Sequence, residues 1–171
     1  IASCLVGSEM CIRDRCYTFK EMRFIMETRK KLAVEAWKSG LNCAQAVLVT
    51  YADLLNIDKE TLFRISEGFG SGLAGLKRTC GALMGAIMIA GIINSDGNYN
   101  NPKTKKQTYE LGQKIINTFE EKHKTSICYD LKGFKDGKVI LPCNLCIEEA
   151  CEIVETMLLP LKYLSLIHIS E

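Results

Sequence analysis

Apolar residues recur with a helical period along most of the chain. From Phe19 to Ser39 the positions Met22, Met26, Ala33, Ala36 and Trp37 keep that spacing, and Gly40 sits where a helix-ending glycine belongs. Asn42 is a good N-cap for a second helix with Val47, Leu48, Tyr51, Leu54 and Leu55 on one face. Asp58 caps a short helix, Lys59 to about Glu67, with Leu62, Phe63 and Ile65 inward. A glycine-rich connection, Gly68 to Gly75, follows. Thr79 then caps a helix from Cys80 to about Ile93. A long amphipathic helix runs from Lys103 to about His123, carrying Tyr109, Leu111, Ile115, Ile116 and Phe119. Ser126 caps a helical turn through Leu131, and Pro142 introduces a last helix, Cys143 to about Leu159, which Pro160 stops. No stretch shows strand alternation, and no repeat or linker divides the chain. The pattern predicts one all-α domain, an irregular bundle of about five main helices plus short helical turns.

Both ends carry a different signature. Leu5 to Asp14 back-translates to the transposase adapter of sequencing-library preparation, and Leu164 to Glu171 to its reverse complement. Residues 1–15 and 164–171 are therefore read as adapter-derived, and 16–163 as the domain, with Met22 and Met26 as candidate native starts. The ends take Cys4 and Cys11 out of nine cysteines and leave His123 as the one histidine considered. Of 22 Lys+Arg and 20 Asp+Glu they remove Arg13, Arg15, Glu9, Asp14 and Glu171, so 20 cations face 17 anions. That balance is too mild to argue for nucleic acid. Lys103, Lys105 and Lys106 read as the solvated start of a helix.

The longest apolar stretch, Cys80 to Ile93, is 14 residues, short of the roughly 20 that cross a membrane, and reads as a buried core helix. Without a secretory signal the expected compartment is the cytoplasm. In such a reducing compartment, grouped cysteines are more often metal-binding or catalytic than structural disulfides.

Four cysteines fall where helices begin: Cys43, Cys80, Cys128 and Cys143. A helix N-terminus offers unpaired N–H groups and the positive end of the macrodipole. Both favour thiolate, the form that attacks disulfides and binds metals. Cys143-x-x-Cys146 adds a local pair on one helix face. Cys151 reads as core, and Cys16 is assigned no role.

Other motifs fail on context. Gly70-x-Gly72-x-x-Gly75 has the letters of a dinucleotide site but follows a helix, so it reads as a turn allowing close approach. The small residues Gly81, Ala82, Gly85, Ala86, Ala90 and Gly91 suggest tight packing on another helix, with a cofactor as the sharper alternative. One C-x-x-C and one histidine do not make a zinc ribbon. His123 reads as a cation at a helix C-terminus rather than a catalytic base. No Ser/His/Asp set or paired-carboxylate motif stands out.

These elements, taken in order, resemble the C_GCAxxG_C_C family of redox-active proteins. They are Asn42-Cys43-Ala-Gln-Ala46, Gly68-Phe-Gly-Ser-Gly72, Cys80-Gly-Ala-x-x-Gly85, Cys128-x-x-Leu-x-Gly133 and Cys143-x-x-x-Ile147, and the likeness covers about Met26 to Leu159. The family is also similar to the non-haem part of split-Soret cytochrome c, which carries an iron–sulfur centre. The resemblance implies Cys43, Cys80, Cys128 and Cys143 as the family cysteines, with Cys146 additional. It implies an iron–sulfur cluster held by Cys43, Cys80, Cys128 and Cys143, with Cys146 as substitute or neighbour, for electron transfer or redox sensing. No C-x-x-C-H is present, so covalent haem is not expected.

Two alternatives stand beside the cluster. One is metal-free thiol–disulfide chemistry, with Cys80 or Cys143 attacking and Cys146 or Cys43 resolving. The other is a helical interaction module with structural cysteines. A redox protein is the expected partner, with room for a homo-oligomer.

Overall fold

The computed structural model describes residues 9–12, 15–18 and 28–161. The helices are α1 (Lys30–Lys38), α2 (Cys43–Thr50), α3 (Ala52–Leu55), α4 (Lys59–Ser66), α5 (Gly81–Asn94), α6 (Lys105–His123), α7 (Cys128–Leu131) and α8 (Cys143–Ile153). A 3-10 turn, Glu67–Phe69, extends α4, and a π turn, Val154–Leu158, extends α8. The fold is all-α. A two-stranded antiparallel ribbon, β1 (Glu9–Ile12) and β2 (Arg15–Thr18), departs from the strandless expectation; Cys11 faces Cys16 across it. Most of this ribbon lies in the segment read as adapter-derived. Met22 and Met26, placed on the first helix by their spacing, lie outside the described residues.

Local chemistry sets the second helix. The Asn42 side-chain oxygen accepts from the N–H groups of Ala44 and Gln45, both at 3.0 Å, and Gln45 Oε1 accepts from the Asn42 N–H at 2.9 Å. This is a reciprocal capping box. The same Asn42 donates its Nδ2 to the Glu67 carbonyl at 2.9 Å, tying the start of α2 to the end of α4. Asp58 caps α4 by accepting from the Thr61 N–H at 2.8 Å.

Tertiary pairing overrides other expected caps. Thr79 does not cap α5: it pairs with Ile127 in an isolated antiparallel bridge, and Cys80 takes the N-cap. Ser126 does not cap α7 either. Its hydroxyl donates to Glu120 Oε1 at 2.6 Å, and Ile127 is the N-cap. The predicted continuous helix through Leu55 breaks at Tyr51, which ends α2 and begins α3.

The core forms where α5 lies against α2, α6 and α8, with α1 packed on α2 and α8. Leu48, Tyr51, Leu83, Ile89, Ile115, Phe119 and Ile147 are fully buried there. Leu62 is buried as expected, but Phe63 and Ile65 are exposed, and Ser66 turns inward with its hydroxyl on the Leu62 carbonyl at 2.6 Å. Tyr109 is also exposed, while Gly112 occupies the buried stripe of α6.

The smooth side of α5 meets a helix, not a cofactor, at Gly85. A Cβ placed there would stand 2.9 Å from the Ala44 carbonyl oxygen and 3.0 Å from Val47 Cβ. A backbone oxygen cannot rotate away, so the two helices would have to separate. Gly85→Val is expected to destabilise the fold by about 1–3 kcal/mol. A urea melt with unchanged m-value checks this, because m reports the exposed surface.

A partly buried network joins the start of α1 to α3 and to the end of α8. Arg29 pairs with the Asp53 carboxylate and donates to the Thr50 carbonyl at 3.0 Å. Its backbone N–H donates to Glu155 Oε1 at 2.7 Å, an oxygen that also accepts from the Tyr51 hydroxyl at 3.0 Å. The Arg29 hydrogen bond holds the Asp53 carboxyl below its usual range.

Candidate redox centre

Four helices deliver their first turn to one place. Cys43, Cys128 and Cys143 are the first residues of α2, α7 and α8, and Cys80 is the N-cap of α5. Hydrogen bonds between loops fix their approach. Cys80 N–H donates to the Ser126 carbonyl at 2.8 Å, and Cys128 N–H to the Arg78 carbonyl at 2.7 Å. Glycine permits the closest contact: a Cβ on Gly81 would lie 2.9 Å from the Phe69 carbonyl oxygen and 3.3 Å from Cys43 Cβ. The neighbour of Cys80 must therefore be small for Cys43 to sit beside it.

Within the site the thiols fall into two pairs, Cys43 with Cys143 and Cys80 with Cys146. All are buried except Cys143, which is half-buried. Cys143 accepts a hydrogen bond from Cys43 and another from the Lys132 ammonium, and these bring its pKa down to about 6 against the opposing effect of burial. Its partner Cys43 is pushed up, first by that contact and then by burial. Cys80 accepts from Cys146 and from the N–H groups of Ala82 and Leu83 in the first turn of α5, which lowers its pKa. Cys146 is correspondingly raised, and its sulfur also lies 3.6 Å from the Leu141 carbonyl oxygen. In each pair the contact favours the thiolate on one sulfur, Cys143 or Cys80, and the thiol on the other.

Cys128 stands beside these pairs, feeling the charges of Cys80 and Cys143. Burial raises its thiol, and Lys132 and Lys77 oppose that. Lys132 stays charged despite its own burial, chiefly through Cys143. The sequence reading did not name Lys132 or Lys77. Nothing in the spacing of a single lysine shows that it will face a thiolate across a loop. Cys151 is elsewhere: it is fully buried, with Tyr51 and Glu155 as neighbours, and burial pushes its thiol up to about 12. His123 is at the end of α6, its Nε2 3.6 Å from Glu149 Oε2.

The donor chemistry fits a thiolate-ligated group. Five thiols meet with lysines and helix N-termini to offset their charge, and none of the carboxylates contributes a leading electrostatic effect on them. The fit is one of donor type: the thiols stand as two contacting pairs, and among the described residues no group of three or more His, Cys, Asp or Glu side chains is already placed as a metal cage.

The family described as "Putative redox-active protein (C_GCAxxG_C_C)" matches residues 41–157, the span that carries all five site cysteines. The chain belongs to the C_GCAxxG_C_C family. An uncharacterized protein of Archaeoglobus fulgidus is 28% identical over 143 residues, covering 80% of this chain and 95% of the relative. No solved structure matches the chain. That family is described as redox-active and is defined by a cysteine motif, which this chain carries. Among the described residues no helix is long and apolar enough to cross a membrane.

A pH dependence follows from the thiolate at Cys143. With its folded pKa below the ordinary value of about 8.5, the group stabilises the fold above that value and loses the contribution as pH falls through about 6. In metal-free protein, iodoacetamide labelling of Cys143 is expected to rise through pH 6 and level off by about pH 8. Mass spectrometry of the labelled peptide reads this, and Lys132→Met is expected to move the midpoint upward.

Proposed function

We propose that the paired thiols hold a binuclear iron–sulfur cluster and that the protein is a one-electron carrier or sensor. The observation that supports this reading is the pairing itself. A [2Fe–2S] cluster takes four thiolates, two on each iron, and here two contacting pairs stand side by side, Cys43 with Cys143 and Cys80 with Cys146. Cys128 lies at the edge of this set. The family resemblance would rank it ahead of Cys146, whereas the contacts favour Cys146.

When bound, the cluster supplies reversible one-electron transfer. The chain supplies the rest. Four thiolates would hold the irons, and the N–H groups of Ala82 and Leu83 and the Lys132 ammonium would offset their negative charge. Positive groups around an anionic cluster favour the reduced form and raise its potential. Burial of Cys43, Cys80, Cys128 and Cys146 keeps water away from all but the Cys143 side. Protein purified without oxygen is expected to be coloured, with visible absorption that bleaches under dithionite and returns on reoxidation. Colourless protein after an attempted reconstitution would count against the reading.

A second reading rests on the Cys43–Cys143 contact. In metal-free protein the Cys143 thiolate would attack an external disulfide, releasing one thiolate. Cys43 would then displace the second, leaving a Cys43–Cys143 disulfide and a fully reduced substrate. Loss of two titratable thiols on mild oxidation, restored by dithiothreitol and absent in Cys143→Ser, is the result this reading predicts.

A further inference from the structure

We propose that the basic, apolar rim beside Cys143 is the docking surface for an acidic electron-carrier protein. This goes beyond the redox reading above and rests on it. The rim is built by the loop before α5 and the segment from α7 to Ile140. Tyr129 N–H donates to the Lys77 carbonyl at 3.0 Å, Phe134 N–H to the Tyr129 carbonyl at 3.1 Å, and Ile140 N–H to the Leu131 carbonyl at 3.0 Å. Lys77 lies over the Phe134 ring at 5.5 Å, and the Tyr129 and Phe134 rings are 5.7 Å apart.

These residues are open to solvent to a degree that packing does not explain. Leu76 is 67% exposed, Phe134 53% and Val139 59%. Exposed large apolar side chains gathered on one surface mark interaction sites. The rim is also continuous with the centre. Lys132 donates directly to Cys143, Lys77 adds its charge there, and Cys143 is the one half-buried thiol of the cluster.

Charge selects the partner. Residues 76–80 and 128–140 carry five cations (Lys77, Arg78, Lys132, Lys135 and Lys138) and two acids (Asp130 and Asp136), a net of +3. The whole chain has a net charge of +2, so positive charge is concentrated here. A second copy docking isologously would set lysines against lysines. An anionic bilayer would match the charge but would bring no electron donor to Cys143. An acidic carrier matches both: its charge steers the encounter, and a small apolar contact suits the transient complexes of electron transfer. In the complex the reduced carrier loses one electron and the centre gains one.

Flavodoxin, an acidic FMN carrier, is the probe. Anaerobically purified full chain is titrated into flavodoxin at low ionic strength, with flavin fluorescence as the binding readout and stopped-flow reduction as the rate readout. The expected result is a complex that weakens as salt rises. Lys135→Glu/Lys138→Glu is expected to weaken it about tenfold and slow reduction by flavodoxin in proportion, leaving reduction by dithionite unchanged. Cytochrome c, a basic carrier, should not bind, and vesicles of phosphatidylserine and phosphatidylcholine should not co-sediment the protein.

Flavodoxin binding indifferent to salt and to the double variant would overturn the proposal, as would retention on the vesicles. The two levels separate cleanly. A chain that stays iron-free after reconstitution yet still forms the salt-sensitive complex supports the docking surface and sinks the cluster. Iron-loaded chain that ignores flavodoxin sinks the docking surface alone.

Discussion

Cys143→Ser protein is expected to leave an anaerobic column with no more than a trace of the iron carried by the unaltered chain. Cys143 is the thiol most strongly held as thiolate, through Cys43 and Lys132. Its loss removes one sulfur of a contacting pair and the anionic partner of a half-buried lysine. Serine keeps the size but is a poor ligand for iron, so a cluster held by the four paired thiols would lose one anchor. Cys80→Ser is expected to do the same by breaking the other pair. Cys151→Ala is the control: that thiol lies against Tyr51 and Glu155, and its removal is expected to leave the iron content unchanged. Iron and sulfide analysis of the variants, each checked for helicity, reads the outcome. Equal iron in Cys143→Ser and the unaltered chain would mean that the paired thiols are not the ligands.

The largest loss of stability is expected from Phe119→Ala. Phe119 is fully buried on α6 beside Ile115, facing the core, and its ring lies 4.6 Å from that of His123. Removing it costs the transfer energy of an aromatic ring and leaves a cavity that helices tied at both ends cannot fill, about 3–5 kcal/mol. A domain with a total stability of roughly 5–15 kcal/mol loses a large share of it. The urea midpoint should fall sharply. Because α6 carries none of the site cysteines, iron content at low temperature should be retained. A change below about 1 kcal/mol would mean that α6 does not anchor the core in this way.

Chemistry local to a few residues was legible in the sequence. The Asn42 and Asp58 caps each act on a backbone N–H three residues on, so composition and spacing suffice to find them; the reciprocal bond to Gln45 was seen only in the structure. The placement of Cys43, Cys128 and Cys143 at helix starts was legible for the same reason. The misses arose wherever a partner distant in sequence decided the outcome. Thr79 and Ser126 have the chemistry of caps but are claimed by Ile127 and Glu120. Phe63, Ile65 and Tyr109 keep an apolar spacing yet face outward, because α4 and α6 each turn a narrower stripe to the core. Which thiols touch depends on the crossing of four helices. The pairing of Cys80 with Cys146, and the lysine beside Cys143, therefore required the folded structure.

The central claim is that cysteines far apart in sequence form one cluster-bearing site. Iron and acid-labile sulfide counted per chain, on protein purified without oxygen and reconstituted, test it most directly. The account predicts about two of each per chain, lost together in Cys143→Ser. Iron and sulfide absent from folded, reconstituted protein would contradict it.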